Sequence, residues 1–157
     1  HLHGQSGKNH HPVLGVNGRL DSMQAAVVLA KLEIFEEEVE LRGKVGEGYS
    51  NLLTDASVQV PFVAEGNTSV FAQYTILSEL RDEIQAKLGE AGIPSVAYYS
   101  VPLHLQPVFS GLGYREGDFP VTERVAALGL SLPMSPYVKS SDQERIAAVI
   151  LSVLSEG

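Results

Sequence analysis

The stretch that decides the fold is SVFAQYTIL, residues 69–77. Apolar and polar residues alternate along it, and β-branched and aromatic side chains dominate, which is typical of a strand with one buried face. Ser78 follows as the expected N-cap of a short helix over residues 79–91, which Gly92 would end. A strand that leads directly into a capped helix indicates a mixed α and β fold.

Further elements on both sides of this stretch complete the pattern. Before it, the sequence predicts a strand over Ser57–Val63. After the short helix it predicts a strand over Ile93–Val101, an irregular stretch over 102–118 and a helix from Pro120 to about Leu128. A short strand over Leu130–Leu132 follows, and then a final helix that begins at a capping box of Ser141 and Glu144 and ends near Leu154. This order predicts an α+β fold, a small and mostly antiparallel sheet with helices on one face.

A long helix is predicted ahead of these elements. Asp21 and Gln24 form a capping pair, and apolar residues recur at helical spacing after them, so one helix is expected over residues 21–53. The glycines at 43, 46 and 48 are expected to loosen its last part. Its acidic middle is interpreted as a solvated face.

Residues 1–20 differ from the rest of the chain. They hold four of the five histidines and four glycines, contain no carboxylate, and show no apolar period, so an extended loop is expected. The predicted organisation is therefore a loop over 1–20, a long helix over 21–53 and a small domain over 54–157. The histidine spacing is poor for a tetrahedral metal site, so surface or ligand-contacting histidines are favoured over metal ligands.

Composition limits the classes of function. The 157 residues carry 11 Lys and Arg against 19 Asp and Glu, a net charge of −8, with 44% hydrophobic residues and no cysteine. Disulfides and zinc–thiolate sites are thereby excluded, and the acidic balance argues against broad nucleic-acid binding. No apolar run approaches the roughly 20 residues that a membrane-spanning helix needs. We expect a cytoplasmic protein without nucleic-acid or membrane partners.

Two segments are candidates for ligand binding. Residues 15–21, GVNGRLD, present backbone N–H groups, an amide and a guanidinium before a helix N-terminus, which suits a phosphate, although an ordinary helix entry fits equally well. Tyr98 and Tyr99 with His104 could hold a sugar or nucleotide, or could form a half-buried strand edge. The sequence contains no nucleophile elbow, phosphate loop or dinucleotide fingerprint.

A set of motifs in fixed order resembles one protein family. The clearest is Asn17-x-Arg19-Leu20-Asp21-x-x-Gln24-Ala25-Ala26, followed by Val101-Pro102-Leu103-His104-Leu105-Gln106, Phe119-Pro120-x-x-Glu123 and Leu130-Ser131-Leu132-Pro133-Met134. From residue 1 to its end, the chain resembles the C-terminal part of a sugar aminotransferase of the DegT/DnrJ/EryC1/StrS family. The resemblance implies the C-terminal domain of a fold type I aminotransferase. Residues 1–20 would be a cofactor- and substrate-facing loop left from the large domain, residues 21–53 the long connector helix, and residues 54–157 the small C-terminal α+β domain.

The resemblance also implies an activity and a set of site residues. Such enzymes use pyridoxal phosphate to put an amino group, from a donor such as glutamate, on a nucleotide-linked keto-sugar for polysaccharide or antibiotic-sugar biosynthesis. Asn17 corresponds to a residue that reaches the cofactor phosphate of the partner subunit in a homodimer. His3, Arg19, Tyr98 and Tyr99 correspond to substrate contacts.

The Schiff-base lysine of this family lies upstream of the part that the chain resembles. None of the five lysines of this chain corresponds to it. They are Lys8, Lys31, Lys44, Lys87 and Lys139. Ordinary transamination needs that lysine, so we expect the chain by itself to be catalytically inactive and to hold no pyridoxal phosphate alone. The alternative is a stand-alone α+β ligand-binding or regulatory module, in which residues 17–19 form a simple anion site or plain surface.

Overall fold

The computed structural model describes residues 4, 6–8, 10–16, 18 and 20–156. The chain divides into two compact units, His1–Glu38 and Val39–Gly157. In the first unit, the described residues before Asp21 form no helix, and an isolated bridge pairs Gly7 with His10. The division into a loop, a connector helix and a small domain stays a prediction.

Helix α1 spans Ser22–Leu32 and begins as predicted. The Asp21 carboxylate accepts a hydrogen bond from the backbone N–H of Gln24 at 2.9 Å, which satisfies one of the free donors at the helix N-terminus. None of the residues of α1 is buried. Its apolar side chains, among them Met23, Val27 and Leu29, are exposed.

The prediction of one helix over 21–53 is wrong, because the chain turns at Glu33 and Ile34 before helix α2, Phe35–Leu53. The N–H of Ile34 donates to the Lys31 carbonyl at 3.3 Å, a tighter turn than the α-helical ladder, which resumes with Glu38 donating to Ile34. The new helix carries three acidic residues in its first turn, where the helix dipole favours negative charge. The glycines at 43, 46 and 48 lie inside α2 and do not interrupt it.

The later helices lie close to their predicted positions. They are α3, Arg81–Glu90, α4, Pro120–Leu128, and α5, Ser140–Glu156, with 3-10 helices over Leu103–Leu105 and Pro107–Leu112 in the stretch predicted as irregular. Gly92 ends α3 with φ +70°, and the N–H of Ile93 returns to the Leu88 carbonyl at 2.8 Å, a Schellman cap. Within the described part of the chain, no helix is both long and apolar enough to span a membrane.

The sheet has two antiparallel strands, β1, Tyr74–Leu77, and β2, Gly129–Leu132. The expected α+β class with an antiparallel sheet is confirmed, but the strands predicted over 57–63 and 93–101 are wrong. Each contributes a single bridge, Gln59 to Leu77 and Val96 to Ser131. Proline lacks the N–H that a strand ladder needs, and Pro61 and Pro94 lie two residues from these bridges.

Strand β1 is also shorter than the predicted run over 69–77, because the backbone before it bonds to an arginine. The Arg42 guanidinium on α2 donates to the carbonyls of Val70 at 2.8 Å, Phe71 at 2.8 Å and Ala72 at 3.3 Å. Phe71 has φ +41°, in the left-handed region that a bulky residue rarely adopts. Neither feature is compatible with a regular strand.

One face of the sheet carries the hydrophobic core. Tyr74 and Ile76 of β1 and Leu130 of β2 are fully buried and pack with apolar side chains from α2, α3 and α5. Buried hydroxyls are paired here, since Tyr49 donates to the Pro133 carbonyl at 2.9 Å. Because side chains alternate along a strand, the residues between these core positions face the other side of the sheet.

Candidate functional site

A cavity of about 540 Å³ lies in the second unit, against the side of the sheet that faces away from the core. Gln73, Thr75 and Ser131 line it with polar groups, and α4 contributes an apolar wall that includes Val121 and Val125. The Thr75 and Ser131 hydroxyls are 2.7 Å apart. An apolar cavity with a few converging polar groups is the usual form of a small-molecule site.

Tyr98 and Tyr99 line the same cavity. Their role as substrate contacts stays a prediction. The two residues are 56% and 76% exposed, and their ring centroids are 6.3 Å apart. The alternative of a half-buried strand edge does not describe them, because residues 97–103 form no strand. Two exposed rings with hydroxyl tips can contact a sugar or a base by both stacking and hydrogen bonds.

His104 does not join the tyrosines at the cavity. Its side chain is only 8% exposed, and its Nε2 lies 2.9 Å from Oε1 of Glu123 on α4. The imidazole also meets the edge of the Phe119 ring, with centroids 4.8 Å apart. The hypothesis that all three side chains bind one ligand is therefore wrong for His104, which is paired inside the protein.

The Glu123 carboxylate accepts hydrogen bonds from His104 Nε2 and from the backbone N–H groups of Gly117 and Phe119. Gly117 donates to both carboxylate oxygens at 3.0 Å, and Phe119 donates at 3.2 Å. The Gly117 N–H, with further contributions from Phe119 and His104, lowers the pKa of Glu123 below its ordinary value of 4.5. The carboxylate is therefore held in its charged form.

The lowered pKa of Glu123 predicts an acid-dependent contribution to stability. A carboxylate whose pKa is lower in the folded state stabilises the fold above its unfolded pKa, and this contribution disappears as the pH falls through the folded pKa. We expect Glu123→Gln to reduce the free energy of unfolding at pH 7, and the difference from wild type to shrink as the pH falls below 4.5. Urea unfolding of both proteins at pH 7 and at a pH below 4.5 measures this difference.

The matched control for this prediction is Glu116→Gln, which removes the same charge from an exposed position in the neighbouring loop. It should leave the free energy of unfolding nearly unchanged at either pH. A pH-independent loss in Glu123→Gln, or equal losses in both variants, would contradict the assignment.

The other predicted site residues, His3, Asn17 and Arg19, lie outside the described residues. The helix N-terminus that they precede is present, since α1 begins at Ser22 behind its Asp21 cap. Their roles remain predictions. Among the described residues, no three potential metal-ligating side chains come together.

Sequence reasoning missed the polar groups that line the cavity and the partners of Glu123. Thr75 and Ser131 are opposite each other in the two strands, so both could have been found by pairing the strands and reading the face that alternates with the core. Glu123 belongs to the motif Phe119-Pro120-x-x-Glu123, but its hydrogen bonds to the preceding loop depend on a turn that no sequence pattern predicts.

Comparison with known proteins gives the family. The sequence model of the DegT/DnrJ/EryC1/StrS aminotransferase family matches residues 1–151. The chain belongs to this aminotransferase family. A structure of a family member from Brucella abortus is 42% identical, covers 97% of this chain with 40% of its own, and superposes with a TM-score of 0.88.

Two curated relatives of this aminotransferase chain carry different kinds of name. A "pleiotropic regulatory protein" of Geobacillus stearothermophilus is 45% identical over 95% of the chain. A UDP-2-acetamido-2-deoxy-3-oxo-D-glucuronate aminotransferase of Pseudomonas aeruginosa is 41% identical over 94%. The chain spans about two fifths of the length of these relatives, 41% of the first and 40% of the second.

Proposed function

We propose that this chain is the C-terminal part of a nucleotide-sugar aminotransferase. The family match over residues 1–151 carries the proposal, together with the coverage of only two fifths of the curated relatives. The intact enzyme would move an amino group from a donor such as glutamate, which becomes a 2-oxo acid, to the keto carbon of a nucleotide-linked sugar. The named substrate of the Pseudomonas aeruginosa relative supports this class of acceptor.

Pyridoxal phosphate would carry the amino group between the two substrates in the intact enzyme. The cavity in this chain offers no amine for the Schiff base that this cofactor forms with a lysine, because none of the five lysines lines the cavity. No catalytic step is therefore assigned to residues of this chain, and we propose that the chain alone is inactive.

The chain's own contribution is to bind and orient substrate. Tyr98 and Tyr99 present exposed rings at the cavity, which suit contact with the sugar or the nucleotide. Arg19 and His3 would contact the substrate, and Asn17 the cofactor phosphate of the partner subunit in a homodimer. We place the enzyme in the cytoplasm, where nucleotide sugars and glutamate would both be supplied.

The test compares this 157-residue chain with the product of the whole open reading frame that contains it. Each is given pyridoxal phosphate, glutamate and a UDP- or dTDP-linked keto-sugar, and 2-oxoglutarate formation is measured. We expect turnover by the whole product and none by the chain, and borohydride should label no specific lysine in the chain. Turnover by the chain, or none by the whole product on any such sugar, would overturn the proposal.

A variant of the whole product tests the substrate role of Arg19 in the same assay. Loss of a charged hydrogen-bond donor to an anionic group should raise the KM for the nucleotide sugar about tenfold in Arg19→Ala. Arg124→Ala removes the same charge from an exposed position on α4 and should leave that KM unchanged.

A stand-alone regulatory or ligand-binding module is the second candidate. The name of the Geobacillus stearothermophilus relative, a regulatory protein, favours a regulatory role, but that relative is covered to only 41% and so gives no support for a module that stands alone. Under this reading the cavity would bind a ligand without any transfer of an amino group. A whole product that binds nucleotide sugar but releases no 2-oxoglutarate would support this candidate over the first.

A further inference from the structure

The segment that carries the tyrosines is attached at its two ends. We call residues 97–103 the tyrosine segment. Before it, Val96 exchanges two backbone hydrogen bonds with Ser131 of β2, at 3.1 and 2.9 Å. After it, His104 is bonded to Glu123 at 2.9 Å. Between these points the segment forms no helix or strand until the 3-10 turn at Leu103.

The second attachment connects the tyrosine segment to α4, which also lines the cavity. Glu123 lies in the first turns of α4, and its carboxylate reaches back to the N–H of Phe119, the N-cap residue. The same carboxylate accepts from Gly117 in the preceding loop. One charged group therefore connects the loop, the helix and His104.

The His104–Glu123 contact is also shielded from water. The side chains of His104 and Glu123 are 8% and 19% exposed, and the Phe119 ring stacks edge-on against His104 and against Tyr114. Hydrogen bonds to a charged group in such surroundings are stronger than exposed ones. The contact is consequently a stronger attachment for the segment than the exposed hydrogen bond that Gln106 Nε2 donates to the Val101 carbonyl at 3.3 Å.

We propose that His104 and Glu123 are positioning residues that fix the tyrosine segment against the cavity and thereby set its affinity for the nucleotide sugar. The affinity part of this inference rests on the proposed function. Neither side chain lines the cavity, so both act through the backbone that carries Tyr98 and Tyr99.

The test uses two variants of the product of the whole open reading frame. His104→Phe keeps a ring against Phe119 but removes the donor to Glu123. His104→Gln instead puts an amide N–H donor at about the position of the imidazole Nε2. We expect His104→Phe to raise the KM for the nucleotide sugar about tenfold, with kcat and the KM for glutamate changed less than about twofold. His104→Gln should restore most of the affinity.

Amide hydrogen exchange supplies a readout that does not depend on any activity. Residues 97–103 should exchange about tenfold faster in His104→Phe, while the α3 and α5 amides keep their wild-type rates. His104→Gln should slow exchange again. An unchanged exchange rate in the tyrosine segment of His104→Phe overturns the positioning role, whether or not the protein is an aminotransferase.

The kinetic outcomes separate the two proposals. If the wild type turns over no nucleotide sugar, the proposed function fails and hydrogen exchange alone decides the positioning role. If the wild type is active but His104→Phe has a wild-type KM, this inference fails and the proposed function stands. A third outcome also overturns this inference: kcat and thermal stability fall in His104→Phe, the KM values for both substrates rise, and His104→Gln restores none of them. That outcome indicates a pair with a purely structural role.

Discussion

Gly46→Ala is expected to lower the free energy of unfolding by about 3 kcal/mol, the upper range for overpacking a core. Gly46 is buried in α2, and a Cβ at this position would lie 2.2 Å and 2.3 Å from two ring carbons of Phe71 and 2.9 Å from Cγ. Urea or thermal unfolding of the purified protein measures the loss.

The Phe71 ring cannot easily move out of the way. It is buried, its centroid is 5.5 Å from that of Tyr74, and its backbone already has φ +41°. A shift of the ring would have to move the Phe71 backbone or displace Tyr74, which is fully buried. The strain therefore spreads into β1 instead of ending at a flexible side-chain tip.

Gly43→Ala is the matched control, because it lies one turn earlier on the same helix and a Cβ there would meet nothing within 4 Å. Alanine in a helix interior is more favourable than glycine by about 0.5–1 kcal/mol, so this variant should be slightly more stable than wild type. Equal effects of the two substitutions would contradict the close contact between α2 and Phe71.

These two glycines illustrate where sequence reasoning about the fold succeeded and where it failed. The order of helices after residue 78 and the short strand before Pro133 follow from the Gly92 C-cap, prolines and local periodicity, which are local signals. The two predicted N-caps in this region are wrong, because Leu80 is the N-cap of α3, without a side-chain cap bond, and Ser141 lies inside α5. The glycines of α2 were expected to loosen the helix, since glycine is a poor helix former. Gly46 instead permits a contact with a residue 25 positions away, and local propensity carries no information about such contacts.

The same distinction applies to the strands and to the site. Arg42 removes residues 70–72 from the predicted strand by bonding their carbonyls across 28 to 30 positions of sequence. At the cavity, an aromatic pair such as Tyr98 and Tyr99 is a visible local signal, so the sequence can nominate both as ligand contacts. The pairing of His104 with Glu123 depends on how the loop before α4 folds back, so the histidine was assigned to the wrong partner.

Arg42→Met is expected to lower the free energy of unfolding by about 2 to 3 kcal/mol, since hydrogen bonds from a charged donor contribute about 1.5–3 kcal/mol each and partly exposed ones contribute less. Methionine keeps an apolar stem over the same surface, so the loss reports mainly on the guanidinium. The carbonyls of Val70, Phe71 and Ala72 would lose their donor together, and the strained backbone at Phe71 would lose the contacts that hold it.

Lys44→Met controls for the loss of a positive charge, because Lys44 is exposed two positions further along α2. It should change the free energy of unfolding by less than about 0.5 kcal/mol.

A combined Arg42→Met and Gly46→Ala variant adds a second criterion, since both changes act on Phe71 and the effects of substitutions at neighbouring sites are not additive. We expect the double variant to lose less than the two single losses together, because once Arg42 no longer fixes the backbone of residues 70–72, the Phe71 ring is free to move away from a new methyl group. Fully additive losses would mean that Arg42 and Gly46 act on Phe71 independently, and that the guanidinium does not hold the ring in its contact with α2.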